Sequence, residues 1–210
     1  MTSFDRFRLR RRMLEFGLAS LAWPTLARNA RAAVEYPVVR TGTELVFPRD
    51  YGAHPQFRVE WWYVTGWLGP PRAGDPAFTG GTSRDPRAYG FQVTFFRVRP
   101  GIAENNPSHF APKQLLFAHT AIADPALGRL RTAQRGAREG FGLAGAHAGT
   151  TQVWIDRWSL TRTGSGYRAI VGASDFAFDL ELASTQPLLL EGDAGVSRKG
   201  PDPGDASFYY

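Results

Sequence analysis

The stretch Phe57-Arg-Val-Glu-Trp-Trp-Tyr-Val-Thr-Gly-Trp-Leu68 decides the fold class. It is dense in aromatic and β-branched residues and holds no proline, which suits a pleated strand. Successive side chains of a strand point to opposite sides. Phe57, Val59, Trp61, Tyr63, Thr65 and Trp67 therefore share one face, and Arg58, Glu60, Trp62, Val64, Gly66 and Leu68 share the other. Both faces are partly apolar, so the strand requires a second covering layer, a partner domain or a ligand.

Units of the same kind recur outward from this stretch. In residues 88–99, Phe91, Val93 and Phe95 alternate with Gln92, Thr94, Phe96 and Val98. Further strands are expected near 113–123, 128–135, 152–162, 166–173 and 175–184, separated by turns such as Asp124-Pro125 and Gly164-Ser165-Gly166. Residues 69–87, with Pro70-Pro71, Gly74, Gly80-Gly81 and Pro86, read as a flexible loop rather than a domain boundary. No long helical period interrupts the series. The expected fold is all-β and antiparallel, either a barrel with a lined cavity or a curved β-sandwich. A chain of 210 residues with 43% hydrophobic content is long enough for one well-buried domain and short for two large ones. Residues 33–210 are assigned to that domain.

Residues 1–32 read instead as an export signal. Arg8-Leu-Arg-Arg-Arg12 precedes a modest apolar run, Phe16 to Leu26, and then Ala30-Arg31-Ala32. The run is shorter than the roughly 20 residues a membrane span needs, and Pro24 and Arg28 interrupt it. Arg11-Arg12 ahead of Met13-Leu14 resembles a twin-arginine signal, with Glu15 as a departure, and implies a periplasmic destination. The alternative is an amphipathic helix of the mature protein, because Met13, Leu14, Gly17, Leu18 and Leu21 fall near helical spacing.

This segment also carries the charge. Its seven arginines stand against only Asp5 and Glu15, and so account for five of the six net positive charges. The remainder has no stripe of Lys and Arg to follow a phosphate backbone, so nucleic acid is not an expected partner. The absence of cysteine excludes disulfides, thiolate-bound zinc and a lipid-modified cysteine anchor. His54, His109, His119 and His147 lack the spacing that would put two on one face, so no metal site is expected.

His54-Pro-Gln-Phe-Arg-Val-Glu-Trp-Trp-Tyr-Val-Thr-Gly-Trp-Leu68 is followed in order by Gly90-Phe-Gln-Val-Thr-Phe-Phe-Arg97, Leu115-Leu-Phe-Ala-His-Thr-Ala121, Val153-Trp-Ile-Asp-Arg-Trp-Ser159 and Gly195-Val-Ser-Arg-Lys-Gly200. Over about residues 45–210 this series resembles the carotenoid 1,2-hydratase family, also called hydroxyneurosporene synthase, and the related AttH-like proteins. The resemblance implies two successive lipocalin-like β domains, of which this chain would carry the first. It implies, in some members, addition of water across the terminal double bond of acyclic carotenoids, with no redox cofactor. Where the family continues through a second β domain, this chain stops at Ser207-Phe-Tyr-Tyr210. The expectation is a domain incomplete at its C-terminal end, associating with a second lipocalin-like domain or a membrane-associated partner.

Hydrating an alkene needs a general acid, shielding of the resulting cation and a placed water. Glu60, among Trp61, Trp62 and Tyr63, is the first candidate acid. Asp156, between Trp154 and Trp158, is the second, and His119, sharing a strand face with Phe117 and Ala121, is the third. Each has a structural alternative: a carboxylate paired with Arg58, Arg97 or Arg157, or a hydrogen-bonded core histidine. Trp61, Trp62, Tyr63, Trp67, Gln92, Phe95 and Trp154 are the expected contacts for a long apolar ligand. A GxSxG nucleophile turn is absent, and Gly140-Phe-Gly-Leu-Ala-Gly145 lacks the strand and helix of a dinucleotide site. Two functions stay open: an exported hydratase acting on an isoprenoid or other apolar substrate, and a non-catalytic binding module of the same fold.

Overall fold

Strands that are apolar on both sides solve their burial problem here by forming a meander of two antiparallel sheets. The computed structural model describes residues 34–69, 88–164, 166–202 and 204–210. The expected export signal and residues 70–87 of the expected loop lie outside the described residues. The first sheet is β1 (Val59–Leu68), β2 (Tyr89–Val98), β3 (Leu115–Asp124) and β4 (Arg129–Arg138), paired in chain order. The second is β5 (Ala144–Ala146), β6 (Gln152–Ile155), β7 (Trp158–Thr163), β8 (Gly166–Gly172) and β9 (Ala177–Ala183), again in chain order. A separate hairpin joins β10 (Val196–Arg198) to β11 (Ala206–Phe208). Among the described residues there is no α-helix, only a 3-10 turn at Arg49–Tyr51.

Among the described residues the two sheets do not close into a barrel; of the two shapes left open by the sequence, they fit the curved sandwich. Val93, Phe95, Leu116 and Ala118 of the first sheet pack with Val153, Ile155, Trp158, Leu160, Ala169 and Val171 of the second into one buried core. Trp62 and Val64 of β1 pack against this core, so the even-numbered face of β1 points inward. The space a barrel would leave as a lined cavity is filled by side chains.

The expected strand at 152–162 needs correction, because it is two strands. Asp156 adopts φ 54° and turns the chain between β6 and β7. The burial pattern marks the break, since Val153 and Ile155 point inward and the next inward residue is Trp158, three positions on rather than two. β5 and β10 are strands the sequence reading did not include, while β11 lies where Ser207-Phe-Tyr-Tyr210 reads as the beginning of a strand. β5 is Ala-Gly-Ala, with no β-branched or aromatic residue to signal it.

The segment before β1 is tied across the sandwich. Ala53 N–H donates to the His147 carbonyl (2.8 Å) and Thr151 Oγ1 donates to the Tyr51 carbonyl (2.8 Å). Gly52 passes so close to the loop between β5 and β6 that a Cβ there would lie 2.3 Å from the Ala148 carbonyl oxygen. This strap carries Asp50 and His54 to the start of β1.

Candidate ligand-binding face

The register lays out the outer face of the first sheet as rows. Trp61, Phe96, Phe117 and Gly136 form one row across β1 to β4; Tyr63, Thr94, His119 and Gln134 form the next. Thr65, Gln92, Ala121 and Thr132 follow, and Trp67, Gly90, Ala123 and Leu130 complete the set. Trp67 is 43% exposed and Leu130 59%, and between them the small residues Gly90, Ala121 and Ala123 leave a trough of about 490 Å³. Two rings pack against glycines that leave room for them. A Cβ on Gly90 would sit 3.3 Å from the Trp67 ring, and one on Gly136 would sit 3.2 Å from Phe117. Midway along β1 the chain covers part of this face itself, because Tyr209 stacks on Tyr63 with ring centroids 6.3 Å apart and their hydroxyls hydrogen-bonded.

Beneath the inner face lies a polar cluster. Arg97 is buried, and its guanidinium is fully engaged: Nε donates to Glu60 Oε2 (2.6 Å), Nη1 to Gln114 Oε1 (2.6 Å) and the Pro55 carbonyl (3.4 Å), and Nη2 to the carbonyls of His54 and Phe57 (3.0 Å each). Glu60 also accepts from the His54 backbone N–H (2.7 and 2.8 Å) and meets His54 Nδ1 at 2.7 Å. The other ring nitrogen of His54 lies 3.2 Å from Asp50 Oδ1. Arg49 beside Asp50 holds that carboxyl well below the usual carboxylate range, against the effect of its burial. Hydrogen bonding to Glu60 raises the pKa of His54, again against burial.

These shifts set a pH dependence. The folded-state pKa of His54 is raised, so its stabilising charge is fully present below its unfolded value near 6.5 and is lost as pH rises through the folded value. Asp50 runs the other way: its contribution is present above its unfolded value of 3.8 and is lost as pH falls. The urea midpoint is expected to be highest between these limits, and His54→Gln is expected to flatten the alkaline decline. A decline that persists unchanged in the variant would assign it to another group.

The sequence-derived residues separate into four places. Trp61, Tyr63, Trp67, Gln92 and His119 come together on the outer face, where the His119 ring meets Phe96 edge-on at 5.5 Å. Trp62 and Phe95 point inward and Phe95 is fully buried, so both are core members and have no access to a ligand on the outer face. Trp154 covers Gly145 in the second sheet, with its indole N–H on the Gly142 carbonyl (3.0 Å). Glu60 sits in the polar cluster, paired with Arg97, one of the arginines its structural alternative named. Asp156 lies in the β6–β7 turn rather than on a strand, paired with Arg135, which holds its carboxyl below the usual range. Glu60, Asp156 and His119 therefore do not converge on one reacting centre. Asp50, Gln114 and Arg97 belong to the polar cluster; Arg97 appeared in the sequence reading only as a possible partner, and the other two not at all. The available signal was the alternation on β2, which puts Arg97 on the same inward face as Val93 and Phe95 and so demands a buried acceptor.

AttH-like proteins match over residues 38–210. The chain belongs to the AttH-like family. A crystal structure from Nitrosomonas europaea, solved as that of an AttH candidate, is 44% identical, with a TM-score of 0.66, over 82% of this chain and 48% of that one. The chain thus spans about half the length of this AttH-like relative. No curated protein matches. The AttH-like match takes in both the outer face and the polar cluster beneath it, and the fold they share is a lipocalin-like domain.

Proposed function

We propose that this AttH-like protein is exported to the periplasm and holds a long apolar ligand against the outer face of its first sheet. The observation that carries this reading is the trough beside Trp67 on a face where Arg138 is the one Lys, Arg, Asp or Glu among twenty positions in register. An apolar surface of this extent, ridged by aromatic rings and floored by small residues, suits the long hydrocarbon part of a ligand. A long-chain isoprenoid or forty-carbon polyene added to the protein should quench tryptophan fluorescence saturably. Trp67→Ala should weaken that binding by about 1–3 kcal/mol through lost buried area. Absence of saturable quenching, or unchanged binding by Trp67→Ala, would overturn the reading. The export part is tested separately by fusing residues 1–40 to a reporter that matures only after twin-arginine transport.

A finer reading is hydration of a terminal isoprenoid double bond, and His119 favours it as a proton-carrying side chain on this face. Its imidazolium would protonate one alkene carbon, the rings of Phe96 and Phe117 would shield the cation, and water would add to the other carbon and pass its proton back to the neutral imidazole. Glu60 and Asp156 do not reach this face and would act, if at all, by holding the scaffold. His119→Ala should abolish turnover while leaving binding intact; turnover that survives clears His119.

A further inference from the structure

Resting on the ligand reading above, we infer that the trough selects a neutral amphiphile, an apolar chain bearing one hydroxyl or amide head, over a fatty acid or a bare hydrocarbon. Two features decide the chemistry of the head. The first is charge. Arg138 lies in the row of Val59, Val98 and Leu115, eight residues along β4 from Leu130, about 27 Å at the rise of an extended strand. Arg129 and Arg131 flank Leu130, but strand alternation sends both side chains to the opposite face, where Asp124 (2.6 Å) and the Asp175 carbonyl (2.6 Å) take the Arg131 guanidinium. Among the described residues, a carboxylate laid in the trough would lose hydration and meet no cation.

The second feature is hydrogen bonding. Thr65 and Gln92 are the lining residues with polar side chains. The Thr65 hydroxyl already donates to the Phe91 carbonyl (3.1 Å). Gln92 spends one amide hydrogen on Thr94 Oγ1 (3.1 Å) and presents the rest of its exposed carboxamide to the trough. A hydroxyl or amide can exchange hydrogen bonds there, while a bare hydrocarbon covers the carboxamide without satisfying it. The chain of the ligand would then lie along Trp67 and Leu130, over Gly90 and Ala123.

Oleyl alcohol, oleate and octadecene, delivered to the full chain from cyclodextrin at pH 8, supply matched probes, with displacement of the neutral dye Nile red as the readout. The alcohol is expected to bind about tenfold tighter than either of the others, the size of one hydrogen bond gained or one charge left uncompensated. Gln92→Leu should bring the alcohol down to the level of octadecene while octadecene binding holds or improves, which also shows that the variant is folded. Oleate binding as tightly as the alcohol, or an alcohol preference that survives Gln92→Leu, would overturn the inference and leave the ligand reading standing. Failure of all three probes to displace the dye would overturn both.

Discussion

Replacing Arg97 by methionine is expected to destabilise the domain by about 3–5 kcal/mol, the range for breaking a buried ion pair by removing one partner. Methionine approximates the volume, so packing is not the main loss. What remains behind is Glu60 with one fewer donor, Gln114 Oε1 and the Phe57 carbonyl without their partner, and the His54 carbonyl with the Phe57 N–H alone. Each such group keeps its desolvation cost after its hydrogen bond is gone. Lysine at this position is not a remedy, because three donors on a flexible stem cannot match a planar fork that serves five acceptors. Urea denaturation of Arg97→Met, Glu60→Gln and the pair checks the argument. The double variant is expected to be markedly less destabilised than the sum of the singles, since each single leaves the other partner buried and unmatched. Additive losses would mean that the two side chains stabilise the fold through separate contacts.

How much of this was legible beforehand differs between strands and sites. The strands of the first sheet were readable because aromatic and β-branched residues alternate between clear turn signals, and the Asp124-Pro125 turn is where expected, with Asp124 Oδ1 accepting from the Ala126 N–H (3.0 Å). Which face of β1 is the core was not readable, because Trp61 and Trp62 are the same residue type on opposite sides. That choice is made by the neighbouring strand, whose Val93, Phe95 and Arg97 share the face of Trp62. Pairing of Glu60 with Arg97 follows from the β1–β2 register, in which they stand directly opposite. A register across an intervening loop of uncertain length has no local signature. The strap is hidden for a different reason: Asp50, His54 and Glu60 are short-range neighbours in sequence, but the loop between β5 and β6 that ties the strap down comes from far along the chain.

Asp156 and Trp158 show why the second hairpin was misread and what it does. The run Val153-Trp-Ile-Asp-Arg-Trp-Ser-Leu160 alternates well enough to pass for one strand. Turning at Asp156 instead brings Trp158 directly opposite Ile155 and buries it almost completely, at 1% exposure. Its indole N–H donates to the Gly172 carbonyl at the end of β8 (2.7 Å), and the Arg135 guanidinium of β4 lies 4.8 Å over its ring. One side chain therefore joins the first sheet, the β6–β7 hairpin and the end of β8. Trp158→Ala is expected to cost about 3–5 kcal/mol, the range for deleting a buried large aromatic, because the cavity forms between two sheets that cannot both collapse into it. Trp158→Phe should recover most of the packing while leaving the Gly172 carbonyl without its donor, and so should fall between the two. Asp156→Ala should move the urea midpoint little, since its pair with Arg135 is solvent-exposed and screened. If Asp156→Ala proved as damaging as Trp158→Ala, the turn rather than the buried ring would be what holds the hairpin to the core.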